Sequence, residues 1–176
     1  MTTSNQPQLP NRLARKPRGL LRFGLRLPIW LYRMRLGWML GNRFLLLTHT
    51  GRKSGLKHQT VVEVMRRDPA SGACVVASGW GSKADWYQNI QQTPLVNITL
   101  GSRELAARAE FISKADGARE LLDYALRHPR AFRELSSFLA GQPLTANPQT
   151  CQQLAETIPI VVFEPLRHHN ADSTNG

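Results

Sequence analysis

The chain has 176 residues, 41% apolar and 20% charged, a mixture that supports one folded core and excludes a fully disordered polymer. Lys and Arg number 23 against 12 Asp and Glu, for a net charge of +11. Two cysteines and five histidines without metal-ligand spacing exclude a disulfide scaffold and a zinc knuckle, and no uncharged apolar run reaches the ~18 residues that a membrane-spanning helix needs.

The charge is unevenly placed. Twelve basic residues precede Glu63, the first acidic residue; from there on, eleven basic residues face twelve acidic ones. The positive field therefore belongs to the N-terminal third, and an anionic partner is expected: nucleic acid, a membrane surface or a phosphorylated ligand. Residues 1–18 read as a loose basic arm and residues 167–176 as a tail, leaving 19–166 as a single domain. Residues 19–40, GLLRFGLRLPIWLYRMRLGWML, read as an amphipathic helix restarted at Pro28, with Ile29, Trp30, Met34 and Trp38 on one face. That helix either covers an apolar surface of the domain or makes weak contact with an anionic membrane through residues 12–40. The polar start MTTSNQPQLPN does not read as a secretory signal, and a cytoplasmic location is expected, with the inner face of the membrane as its extension.

The middle of the chain reads as strands. Arg43–Thr50 is a short apolar run, Gln59–Arg66 is rich in β-branched residues, and the turn DPASG at 68–72 joins it to a third run at Ala73–Ser78. SKADWYQNIQQ, residues 82–92, reads as a short helix capped by Ser82 or Asp85. Leu95–Leu100, Gly101-Ser102 and Arg103–Ile112 read as strand, tight turn and strand; Leu105, Ala107 and Ala109 alternate with Ala106, Arg108 and Glu110.

From residue 113 the spacing becomes helical. Ser113 and Asp116 mark a helix start, and Leu121, Leu122, Ala125 and Leu126 are expected on one face. Pro129 divides this helix from AFRELSSFL, and Gly141 ends it. Residues 142–153 read as loop. Ile158–Phe163 reads as the last strand, with Pro159 at an edge or at the strand's start. Six mainly antiparallel strands with flanking helices give an α+β, mainly β, fold class: a closed or partly closed barrel, since closure removes exposed edges.

Two motifs carry chemistry. THTGRKSG, residues 48–55, places Arg52, Lys53 and Ser54 between two glycines, supplying a guanidinium fork, an ammonium, a hydroxyl and turn amides for an anionic oxygen. It is no Walker loop, because Arg52 separates the glycine from the Lys-Ser pair. ASGWGSKADWYQN, residues 77–89, sets Gly79, Gly81 and two tryptophans at a strand end and helix start, where backbone can approach a flat ligand. Trp86 and Ile90, four apart, suit core packing, whereas the Ser78–Lys83 turn has no evident packing purpose.

LLLTHTGRKSG, then SGWGSKADWYQNI, then the TPLVNITLGSRELAARAEFI hairpin resemble the deazaflavin-dependent nitroreductase family, over about Arg43 to Phe138. The resemblance implies a split β-barrel related to flavin-binding pyridoxamine-phosphate-oxidase folds. It also implies coenzyme F420, an 8-hydroxy-5-deazaflavin bearing a phosphate and an oligoglutamate tail, with flavin mononucleotide second. Its members reduce quinones, nitroaromatics and related acceptors. By the same resemblance Arg52, Lys53 and Ser54 hold the phosphate end; Lys57 and His58, beside them, are further cofactor-binding candidates. Ser78, Gly79, Trp80, Gly81 and Lys83 face the ring, and Trp86 and Asn89 wall the pocket. The sequence departs from the family at His58 and Val61, where Arg and Pro are usual. No catalytic residue and no metal ligand is identified; Tyr87 is a candidate proton donor, with a surface or packing role as the alternative.

The first reading is thus an oxidoreductase that transfers hydride from the reduced deazaflavin to a quinone or nitroaromatic acceptor. A non-catalytic deazaflavin carrier is the alternative. A nucleic-acid binder is the remote one, since no recognition helix or interleaved aromatics accompany the basic residues. A homodimer is compatible with the fold class.

Overall fold

The computed structural model describes residues 43–140 and 142–166. The arm 1–18, the helix at 19–40, the helix stop at Gly141 and the tail 167–176 lie outside the described residues.

Six strands form the body: β1 (Phe44–Thr50), β2 (Lys57–Arg67), β3 (Cys74–Ala77), β4 (Leu95–Leu100), β5 (Arg103–Phe111) and β6 (Ile160–Pro165). They close in the order β1-β2-β3-β6-β5-β4, every neighbouring pair antiparallel. Closure leaves no edge, so β6 is an interior strand; Pro159 precedes it and its carbonyl accepts from Ser78 N–H at 2.9 Å. The start of a strand, not an edge, is the role Pro159 fills.

Alternation decides which side chains fill the barrel. Leu45 and Leu47 of β1, Val62 of β2, Ile98 of β4, Ala107 and Ala109 of β5 and Phe163 of β6 point inward into one core. The apolar runs CVVA and IVVF have no polar face because both faces are covered. Cys74, Val76, Val161 and Phe163 enter the barrel, while Val75, Ile160 and Val162 meet a second core outside it. Each fully buried Leu, Ile or Phe contributes roughly 1.5–3 kcal/mol.

Among the described residues four α-helices accompany the barrel: α1 (Asp85–Gln92), α2 (Lys114–Arg127), α3 (Pro129–Ala140) and α4 (Pro148–Thr157). Helix α1 lies between β3 and β4 in the chain and inserts Trp86, Tyr87 and Ile90 into the barrel core. Neither Ser82 nor Asp85 caps it. A 3-10 turn, Gly81–Lys83, leads in, Ala84 occupies the N-cap without a side-chain bond, and Asp85 is already in the first turn. Ser113 does cap α2, accepting from the Asp116 N–H at 3.1 Å.

Two further expectations are corrected. The buried stripe of α2 is Gly117, Ala118, Leu121, Tyr124 and Ala125, whereas Leu126 is 73% exposed. Leu126 sits one position past the stripe, and Tyr124 at i+3 takes the place expected of it. The stretch read as loop, 142–153, contains the start of α4. There Asn147 accepts from Thr150 N–H at 2.8 Å as N-cap, and Pro148 occupies the first turn, where its missing N–H costs nothing. Helix α4 buries Cys151, Leu154 and Ala155 with α2 in the second core.

Candidate active site

The GRKSG loop is the tip of the β1–β2 hairpin. Gly51 N–H donates to the Leu56 carbonyl and Gly55 N–H to the Gly51 carbonyl, both at 2.8 Å. A Cβ on Gly51 would stand 2.7 Å from both His58 Nε2 and Ser54 Oγ, so only glycine permits this packing. Ser54 Oγ accepts from Leu56 N–H at 3.3 Å and lies 3.3 Å from His58 Nε2. Lys57 Nζ donates to Thr50 Oγ1 across the hairpin at 3.2 Å. Lys53 is exposed and forms no ion pair among the described residues.

Arg52 is held from behind. Its N–H donates to Asn89 Oδ1 at 3.1 Å and its Nη1 to the same oxygen at 2.9 Å. The guanidinium also reaches the Asp85 carbonyl and Oδ1, each at 3.4 Å. Asp85 and Asn89 are four apart on α1 and so share the face that meets the loop.

Asn89 is buried, and with its oxygen committed to Arg52 its amide nitrogen faces His49 Nδ1 at 3.1 Å. That nitrogen donates, so Nδ1 of His49 accepts and Nε2 carries the ring proton. Burial, reinforced by neighbouring His58, lowers the pKa of His49 from 6.5 to about 4, which keeps the ring neutral at physiological pH. The His49 and His58 rings stack with centroids 6.0 Å apart. His49 and Asp85 were absent from the site set drawn from the sequence. The signal was present: His49 continues the inward alternation of Leu45 and Leu47, and a polar side chain there demands a partner.

The second motif closes on itself. Ser78 is fully buried and its Oγ donates to the Gly81 carbonyl at 2.8 Å, while Gly81 N–H returns to the Ser78 carbonyl at 2.7 Å. Gly81 has φ +66, a left-handed conformation that favours glycine. Gly79 faces open space, with nothing within 4 Å of where a Cβ would stand. Trp80 packs against the barrel core and Gln88 Nε2 ties the turn to α1 through the Ser82 carbonyl at 3.3 Å. Lys83 is exposed and without an ion-pair partner among the described residues.

Helix α1 therefore joins the two motifs: Asn89 and Asp85 grip the first, Gln88 the second. Trp86 and Tyr87 are both buried in the barrel core. Tyr87 packs edge-on to Trp86 and Phe111 with centroids 6.0 and 5.5 Å away. Burial raises the Tyr87 pKa, so its phenol stays protonated. Among the described residues no three His, Cys, Asp or Glu are grouped to hold a metal, and no helix is long and apolar enough to cross a membrane.

No curated protein matches the chain. Among solved structures it is similar to an F420-H2 dependent reductase (FDR-A), at 19% identity over 70% of this chain and 96% of that one, TM-score 0.49. It is also similar to a pyridoxamine 5'-phosphate oxidase-related, FMN-binding protein from Nostoc punctiforme, at 13% identity over 87% and 82%, TM-score 0.45. A third similar structure is a protein from Clostridium acetobutylicum related to general stress protein 26, of the pyridoxinephosphate oxidase family. It shares 7% identity over 80% and 89%, TM-score 0.47. A model of the F420H(2)-dependent quinone reductase family matches residues 26–134, a span that includes both motifs and the helix joining them. The chain belongs to that family and is an F420H2-dependent oxidoreductase.

Proposed function

We propose that the chain uses reduced coenzyme F420 to reduce a quinone or nitroaromatic acceptor, with the coenzyme held across the GRKSG loop and the Ser78–Lys83 turn. The observation that carries this reading is the grip of Asn89 on Arg52, which fixes the cationic loop to the helix that follows the glycine turn. The residues present fit the coenzyme. Lys53 and Lys83 are exposed cations left for an anion, and the space beside Gly79 admits a flat ring against backbone.

In this reading Lys53, Ser54 and Lys57 hold the phosphate, with His58 beside them. The Gly79–Gly81 backbone and Trp80 face the ring, and Lys83 adds a second charge. Arg52 and Asn89 are positioning residues, since their polar groups face one another. Trp86 supports the pocket from the barrel core. Tyr87 packs edge-on to Trp86 and Phe111 in the barrel core, so the proposal gives it a supporting role beside Trp86. The coenzyme supplies the hydride when bound, so the protein needs no nucleophile of its own. The excess of basic residues before Glu63 draws the anionic coenzyme toward the loop.

The test is oxidation of the reduced coenzyme by the purified chain with menadione and, separately, with a nitroaromatic. Acceptor-dependent turnover is the expected result. Tight binding of the coenzyme with no turnover on either acceptor would overturn it in favour of a carrier.

A further inference from the structure

A groove of about 770 Å³ lies between the end of β2 and helices α2 and α3, and five arginines line it: Arg43, Arg66, Arg67, Arg127 and Arg130. It is distant from the coenzyme motifs. The register pairs Phe44 with Glu63 at the groove end of the hairpin and Thr50 with Lys57 at the GRKSG end. Six residues of strand at ~3.3 Å each separate the two ends by roughly 20 Å.

Three of the arginines are already committed. Arg66 holds Glu120 through two bonds of 2.6 and 3.0 Å. Arg127 holds Asp123 through two bonds of 2.6 and 3.0 Å and reaches the Met65 carbonyl at 3.2 Å. Arg43 lies 3.3 Å from Glu63, which also accepts from the Tyr124 hydroxyl at 3.1 Å. This leaves Arg67 and Arg130, both exposed and without an ion-pair partner among the described residues, against Glu134 on the same wall. Helix α3 also starts in the wall: Pro129, Arg130 and Ala131 line it, and no acidic residue stands in that first turn. First-turn amides lack partners within the helix and carry partial positive charge.

We propose that this groove is a second anion site, taking a small molecule that bears phosphate or several carboxylates, held by Arg67, Arg130 and the first turn of α3. Guanidinium forks recognise both oxyanions bidentately, which an isolated lysine does not. The volume lies in the range of small-molecule sites. The groove is distinct from the coenzyme loop, so its occupation and coenzyme binding are separately measurable.

The experiment is a titration of the full chain with inorganic pyrophosphate and, in parallel, with citrate, followed by backbone amide shifts. The GRKSG loop can also take an anion, so the Lys53→Ala chain is titrated alongside. The expected result is a saturable shift of the Arg130 and Ala131 amides that persists in Lys53→Ala and weakens at least tenfold in Arg67→Ala/Arg130→Ala. Stronger binding of pyrophosphate assigns the site to phosphates, and stronger binding of citrate to carboxylates. An Arg67→Lys/Arg130→Lys chain retains the charge without the fork and covers the case in which the alanine pair fails to fold; it too is expected to bind more weakly. Shifts confined to residues 51–58, or Arg130 and Ala131 shifts unaffected by either pair of substitutions, would overturn the proposal.

Discussion

Asn89 and Arg52, thirty-seven residues apart, are joined by two hydrogen bonds to one amide oxygen, 3.1 Å from the Arg52 N–H and 2.9 Å from its Nη1. Backbone and side chain of Arg52 are thus fixed by a single buried group. Replacing Asn89 with Leu leaves the Arg52 amide and His49 Nδ1 without their partner. An unsatisfied buried donor or acceptor costs about 1–3 kcal/mol, so thermal unfolding should show a clear drop in Tm. Coenzyme affinity should fall with it, although Asn89 itself is turned toward the protein. Wild-type Tm in Asn89→Leu would contradict the brace.

Asn89→Asp separates charge from shape. The carboxylate still accepts from Arg52 but offers His49 an anion where a donor stood. The pKa of His49 should therefore rise from about 4, as followed by the ring proton shifts against pH. An unmoved titration would mean that His49 and Asn89 are not in contact.

His49 also sets an acid limit on stability. Its folded pKa of about 4 lies below the 6.5 of an unperturbed histidine. Between those values the unfolded chain takes up a proton that the folded chain refuses, so stability is full above 6.5 and falls as pH drops toward 4. The loss across this window amounts to about 3 kcal/mol. Urea unfolding across the window should show the decline, and His49→Gln should flatten it.

The two glycines of the second motif should behave differently. Gly81 has φ +66, so Gly81→Ala strains the backbone and should cost about 1–2 kcal/mol of stability before any ligand is considered. Gly79 faces open space, so Gly79→Val should fold with unchanged Tm yet weaken coenzyme binding at least tenfold. Calorimetric unfolding paired with a coenzyme titration separates the two effects. Full affinity in a folded Gly79→Val chain would place the ring elsewhere.

Most of the barrel was legible because period-two alternation leaves a direct trace. Ala107 and Ala109 are buried while Arg108 and Glu110 are exposed, as the hairpin pattern implies. Helix α4 was not legible as a helix, because Pro148 reads as a breaker until it is seen to follow an Asn147 cap. It also has only three buried positions, too few for a clear period. Both site motifs stood out by their glycines and cations, but their joining did not. Which polar side chain is buried, and against which partner, is decided by the approach of α1 to the β1–β2 tip. No local pattern encodes that approach, so Asn89 read as a pocket wall and Asp85 as a cap.

The proposed coenzyme site sets two exposed cations, Lys53 and Lys83, against the coenzyme while Arg52 and Asn89 hold the loop. Its most direct test is an equilibrium titration of coenzyme F420 into the wild-type chain and into Lys53→Ala/Lys83→Ala. Both lysines are exposed, so the substituted chain should keep its Tm. A charge-assisted bond is worth about 1.5–3 kcal/mol, so the Kd should rise by roughly a hundredfold or more. An unchanged Kd in the folded double variant would contradict the placement of the coenzyme between these two motifs.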